Sequence, residues 1–223
     1  VPRGLGEGEE SAKEPDPIYT HAMPRFFQLL SSMNIRATFF VVGRDAEHPV
    51  HAEILSEAVA RGHELANHTY SHPYRLTRLS EEAMEKEVLR GDEIISSLLP
   101  PAQTVKGFRS PGYNTTAPLL NILRRHGYLY DSSIFPCPPY YAAKATVMAL
   151  LALKRTPSSS LLGSPRVLFA PIRPYQPGRD PHSPANAKES ETLALNSRSL
   201  WQLPMTVLPF LRLPYIGTSL SLF

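Results

Sequence analysis

Ala37-Thr38-Phe39-Phe40-Val41-Val42-Gly43 is a short continuous run of apolar, strand-favouring residues ended by glycine. A run of this length and make-up predicts a strand buried on both faces, as in a parallel sheet. Upstream, Met23, Phe26, Phe27, Leu30 and Met33 recur at helical spacing and predict a helix before that strand. Downstream, residues 49–61 read as a helix closed by Gly62, and His63-Glu64-Leu65-Ala66-Asn67 as a short strand entering a histidine-containing loop. Residues 81–99 form a helical pattern with Met84, Val88, Ile95 and Leu98 on one face, stopped by Pro100 and Pro101. Val105 to Ser110 then reads as a strand. Asn114 to His126 is a helix with Thr115 or Thr116 as its cap and Pro118 in its first turn, ended by Gly127. Tyr128 to Ser133 is the next strand. Strands alternating with helices of this length argue for βα units and a parallel sheet.

Beyond Pro136 the rhythm changes, and most of the 23 prolines lie there. Residues 140–155 are helical and apolar on most of their surface, which suits a core helix, with contact to a lipid carrier or membrane surface as the other reading. Residues 156–186 form a Pro/Ser-rich excursion with one short strand, Arg166 to Ala170. Residues 1–17 read as a loose N-terminal segment, and the whole as a single domain over 1–223. Composition narrows the function classes. A net charge of +3, with no basic cluster on a recognisable motif, argues against a nucleic-acid partner and leaves an anionic glycan open. Cys137 is the one cysteine, so no intrachain disulfide forms and the redox compartment stays open. No signal peptide or membrane-spanning stretch is visible, so a cytoplasmic location is the default expectation.

Three segments could carry chemistry. His68 and His72 are four residues apart on a loop that follows a strand, where α/β sheets and barrels place their sites. Two such imidazoles can face one divalent metal, although the bare spacing equally suits two surface or capping histidines. Arg109-Ser110-Pro111-Gly112-Tyr113-Asn114 also follows a strand. Arg109 could orient a carboxylate, and the Pro-Gly turn could expose the Tyr113 N–H; a plain surface turn is the alternative. Asp131 stands between a strand and a turn, where an Asp commonly caps the backbone.

Taken in order, IRATFFVVG, GHELANHTYSHP, FRSPGYN and YLYDSS resemble the landmarks of the polysaccharide deacetylases, the NodB-like carbohydrate esterase family 4. The likeness is close over residues 18–133 and resumes weakly at LWQLPMTV. It implies a distorted (β/α) barrel of seven or eight strands, incomplete at both ends here. It also implies a hydrolase that removes N-acyl groups from an N-acetylated glycan or a lipid-linked sugar, with a divalent metal, zinc in our reading, held in part by His68 and His72. By the same resemblance Arg109 orients the catalytic base, the Tyr113 N–H helps hold the oxyanion, and Asp131 has a supporting role. Pro111, Trp201 and Leu203 would line the substrate site. The family's opening strand with two acidic residues and its closing Leu-x-His strand have no match here, so the chain alone is expected to turn over near background. Asp16 is the sole carboxylate placed to substitute. An inactive carbohydrate-binding relative, or an interaction module using PIRPYQPGRDP as polyproline II, are the other readings.

Overall fold

A computed structural model of the chain describes residues 14–155, 162–196 and 199–214. Five strands form one parallel sheet in the order of the sequence: β1 (Thr38–Val41), β2 (Glu64–Asn67), β3 (Gly107–Phe108), β4 (Tyr130–Asp131) and β5 (Trp201–Gln202). The helices are α1 (Met23–Ser32), α2 (Gly43–Ala46), α3 (Pro49–Ala60), α4 (Glu81–Ser97), α5 (Ala117–Arg125), α6 (Pro138–Leu153) and α7 (Ala187–Asn196). Strand order that never reverses is the singly wound, barrel-type arrangement. It brings the C-terminal ends of all five strands to one rim.

The helical pattern upstream of β1 begins at Ile18, first as a π-helical turn, Ile18–Ala22, that runs into α1. Met23 and Phe27 are buried, whereas Phe26, Leu29 and Met33 stay exposed. β1 departs from the expected double burial: only Val41 is fully buried and Thr38 is exposed, because among the described residues β1 is an edge strand paired with β2 alone. α3 begins at Pro49 under a His48 cap, and Gly62 takes φ +82° just past its end. α4 is capped by Ser80, whose Oγ accepts the Ala83 N–H at 3.3 Å, and it buries Met84, Val88 and Ile95. Thr116 occupies the N-cap position of α5 without a side-chain capping bond. One core of apolar residues from α1, α3, α4, α5 and the strands lies beneath the rim.

Two expectations for the second half are corrected. The stretch read as a strand, Arg166 to Ala170, belongs to a 3₁₀ helix, Pro165–Phe169, with Ser164 Oγ accepting the Arg166 N–H. Proline at the first helical position and serine before it favour a helical turn over the β preference of Val and Leu. α6 is not a core helix, since none of its residues is buried. The stretch around Tyr175 is built into the sheet edge: Tyr175 exchanges two backbone hydrogen bonds with Gln202, at 3.1 and 2.7 Å, and its ring is buried. Residues 156–161 of the Pro/Ser-rich excursion and residues 1–13 lie outside the described residues. No described helix is long and apolar enough to cross a membrane.

Candidate active site

The loop after β2 is fixed by main-chain bonds from three sides. Its start is tied to the neighbouring strands, with His68 N–H on the Val41 carbonyl and Arg109 N–H on the Asn67 carbonyl, both at 2.9 Å. The N–H groups of Gly43 and Arg44, opening α2, donate to the Thr69 and Tyr70 carbonyls at 2.9 Å. From α4, the Glu87 carbonyl accepts the Tyr70 N–H, and the Glu87 carboxylate accepts both the Ser71 N–H at 2.9 Å and the Ser71 hydroxyl at 2.7 Å. Thr69 and His72 are held at φ +69° and +57°, a region non-glycine residues rarely visit. Asn67 Oδ1 takes the Thr69 N–H at 2.8 Å and Thr69 Oγ1 takes the His72 N–H at 3.0 Å, which stabilises the tight loop.

Behind the loop lies a buried polar network. Asn67 Nδ2 donates to the Val88 carbonyl at 2.8 Å and to Tyr128 Oη at 2.7 Å, and Tyr128 donates to Asp92 at 2.6 Å. α4 can approach so closely only because position 91 is glycine. A Cβ there would stand 2.6 Å from Asn67 Oδ1 and 3.0 Å from the Thr69 carbonyl carbon.

This framework brings His68 and His72 together, with ring centroids 4.8 Å apart. His68 Nδ1 lies 2.6 Å from the Arg109 carbonyl oxygen. Since a carbonyl only accepts, Nδ1 carries the proton and Nε2 keeps its lone pair for a ligand, the way second-shell carbonyls orient metal-binding histidines. Burial lowers the His68 pKa to about 4, against the raising effect of the Arg109 carbonyl. Burial also lowers that of His72, with the Asp45 charge opposing it. Both imidazoles are thus neutral near pH 7, the form that binds metal. The donor set fits two arms of a divalent-ion site. Among the described residues no third His, Cys, Asp or Glu completes a three-ligand group. Asp16 is engaged elsewhere: its Oδ1 caps the Ile18 N–H at 2.8 Å, and its own N–H donates to His51 Nε2 at 2.9 Å.

Arg109, at the end of β3, stacks its guanidinium 3.9 Å above the Phe40 ring and donates to Ser132 through Nε at 3.1 Å and Nη2 at 2.8 Å. Burial lowers its pKa, with Tyr113 and Asp131 favouring the charged form. Asp131 is fully buried and does not face solvent. Its Oδ1 accepts the Ser133 hydroxyl and its Oδ2 the Gln202 amide at 2.9 Å, while Ser133 Oγ accepts the Ser110 N–H at 2.8 Å. Asp131 thus fixes, through Ser133, the backbone next to Arg109. Burial raises its pKa to about 6 despite these bonds.

Tyr113 sits at φ +59° with its N–H 3.3 Å from the Ser110 carbonyl, a long turn bond, and its ring packs with Phe135 and Tyr140. Pro111 is buried beneath this turn. Leu203 is reached from the site through Ser132, whose hydroxyl donates to the Leu203 carbonyl at 2.9 Å. Trp201 is exposed and pairs with Tyr130, one register step toward the N-terminal ends of the strands. The sequence reading passed over Tyr74, whose exposed ring meets His72 edge-on at 4.8 Å, and Tyr140, close enough to Tyr74 and Tyr113 to feel their charges. A tyrosine two residues after the second histidine was the available signal for the first.

A family model for polysaccharide deacetylases matches residues 15–130, just over half of the chain. A chitooligosaccharide deacetylase from Sinorhizobium fredii is 34% identical over 97 residues, covering 44% of this chain and 42% of that protein. A peptidoglycan-N-acetylglucosamine deacetylase from Bacillus cereus is 33% identical over 84 residues, covering 38% of this chain and 28% of that protein. The chain thus spans less than half the length of these curated relatives. Among solved structures, a protein described as a polysaccharide deacetylase from Mycobacterium smegmatis superposes with a TM-score of 0.55 at 22% identity, covering 84% of this chain and 46% of that one.

Proposed function

The chain belongs to the polysaccharide deacetylase family, and on that premise we propose that it is a metal-dependent hydrolase releasing N-acyl groups, acetyl first, from an amino-sugar glycan or lipid-linked sugar. One observation carries the reading: His68 and His72 converge, with the Nδ1 proton of His68 committed to the Arg109 carbonyl. His68 and His72 would hold a divalent ion, zinc in our reading. Bound there, such an ion would lower the pKa of a water and polarise the acyl oxygen.

The chain's own residues do the rest. Arg109, its plane set by Phe40 and Ser132, holds a fixed guanidinium that would orient the base carboxylate implied by the family resemblance and keep it ionised. The Tyr113 N–H, bound only at 3.3 Å in its own turn, turns toward the developing oxyanion. A donor of this kind is worth about 3 kcal/mol in comparable sites. Asp131 holds the Ser110 backbone through Ser133, and Pro111 and Leu203 bound the sugar site with Tyr74, whereas Trp201, a step toward the N-terminal strand ends, stands away from it. The relatives' names support the substrate class, since they act on chitooligosaccharides and on peptidoglycan N-acetylglucosamine. In this reading the five-stranded sheet is part of a distorted barrel of seven or eight strands.

The test is acetate release from N-acetylglucosamine oligomers by the product of the complete gene, with zinc or cobalt supplied. We expect turnover that disappears in His68→Ala/His72→Ala. Turnover unchanged by the double substitution would remove the site from the reaction. Oligomer binding without acetate release, metal present, would favour an inactive carbohydrate-binding protein.

A further inference from the structure

α6 leaves the site rim and presents an apolar surface that nothing among the described residues covers. Of its 16 residues, Pro138 and Tyr140 at the start are partly buried, and beyond them only Tyr141, Lys144, Ala145, Met148 and Leu151, a stripe at helical spacing. The opposite face carries Val147, Leu150 and Leu153, the last 81% exposed, with Thr146 as its one polar side chain before Lys154. The surface continues past the start of the helix. Tyr141 packs on Val167 and Ala170, and Arg212 Nη1 donates to the Leu168 and Ala170 carbonyls at 2.6 and 3.0 Å. These contacts join two short turns whose tips are Phe169, 84% exposed, and Phe210 and Leu211, 102% and 70% exposed. Large aromatic and aliphatic side chains projecting this far, in company, mark an interaction surface.

Charge selects the occupant. From Ser132 to Arg179 the sequence has Lys144, Lys154, Arg155, Arg166, Arg173 and Arg179 and not one Asp or Glu. Asp180 answers Arg166 at 2.8 Å and Glu189 interacts with Arg179, which leaves Lys144, Lys154, Arg155 and Arg173 in excess along this stretch of sequence. A second copy of the chain would bring the same cations against each other, with no acidic residue of this region to meet them. An apolar helix face about 24 Å long, bordered by Lys and Arg, is instead the pattern of a helix lying in a bilayer interface.

We propose that α6 and the Phe169 and Phe210–Leu211 turns dock this protein on an anionic lipid bilayer surface. The apolar side chains enter the headgroup boundary, and Lys154, Arg155 and Arg173 meet lipid phosphates. α6 is tied to the site, since Lys144 Nζ reaches the Gly112 carbonyl at 3.5 Å, so docking would set the site's rim close to the membrane plane. The inference is independent of the deacetylase reading.

The experiment is cosedimentation of the full chain with vesicles of phosphatidylglycerol and phosphatidylcholine, or of phosphatidylcholine alone. Binding is expected to the mixed vesicles and to weaken strongly with added salt. Lys154→Gln/Arg155→Gln should weaken it about 25-fold, from about 1 kcal/mol for each basic residue near an anionic surface. Leu150→Glu/Leu153→Glu and, separately, Phe210→Ser should release the protein. Their side chains contribute no buried contact, so the thermal midpoint should stay unchanged. The proposal is overturned by absence of binding to the mixed vesicles at low salt, or by binding that survives Leu150→Glu/Leu153→Glu. A stable dimer that dissociates on those substitutions would also overturn it, by assigning the face to a second copy.

Discussion

Raising the pH from 4 to 7 should cost this fold stability at one identifiable carboxyl group. Asp131 is fully buried at the end of β4, and burial lifts its pKa from 3.8 to about 6, outweighing the bonds from Ser133 and Gln202 and the charge of Arg109. The native state therefore keeps a proton that the unfolded chain has already released. Its stabilising contribution is complete below about pH 3.8, declines as pH rises, and is gone above about pH 6. At about 1.36 kcal/mol per tenfold change, the displacement amounts to about 3 kcal/mol. Glu85, Asp180 and Glu189 have depressed pKa values and slope the other way, so total stability would mask the effect. Asp131→Asn isolates it. An amide cannot titrate, and Gln202 Oε1, buried without a partner among the described residues, could accept its N–H after a flip of the Gln202 amide. Urea unfolding followed by circular dichroism, in chelator and at half-unit pH steps, gives the difference between the two proteins. That difference should move by about 2.4 kcal/mol in favour of Asp131→Asn from pH 4 to pH 7. A difference that stays flat across the window would refute the burial argument.

Arg109→Lys keeps a charge but loses both the planar fork on Ser132 and the stacking on Phe40. It should lower kcat by at least about tenfold while shifting the thermal midpoint little; near-normal turnover would remove Arg109 from its proposed role. Gly91→Ala should destabilise the protein by about 1–2 kcal/mol. The close approach to Thr69 and Tyr70 is to backbone, and overpacking of about 1–3 kcal/mol exceeds the helix-propensity gain of about 1 kcal/mol. Chemical denaturation measures this directly, and a neutral or stabilising result would show that the loop yields.

The first half of the chain was legible because its signals are local. α3 and α4 carry Pro49, Gly62 and Ser80 at their ends, and β2 is a short strand, Glu64–Asn67, leading straight to His68. The pairing of His68 with His72 followed from spacing and context. The network that holds the loop did not, because Asn67, Tyr128 and Asp92 meet across separations of 61 and 36 residues. A glycine in mid-helix, Gly91, was its one sequence trace. α6 was misjudged for a physical reason: apolar composition measures what a helix would gain from burial, not whether anything covers it. β1 was read as doubly buried because a run such as ATFFVVG does not reveal that the strand stands at a sheet edge.

The central claim is that His68 and His72 are prearranged to hold one divalent ion. Calorimetric titration of the metal-free protein with zinc, beside the His68→Ala/His72→Ala variant at matched thermal stability, tests it most directly. The account predicts about one site per chain in the natural sequence and loss of that site in the variant. Equal zinc binding by the two proteins would contradict it.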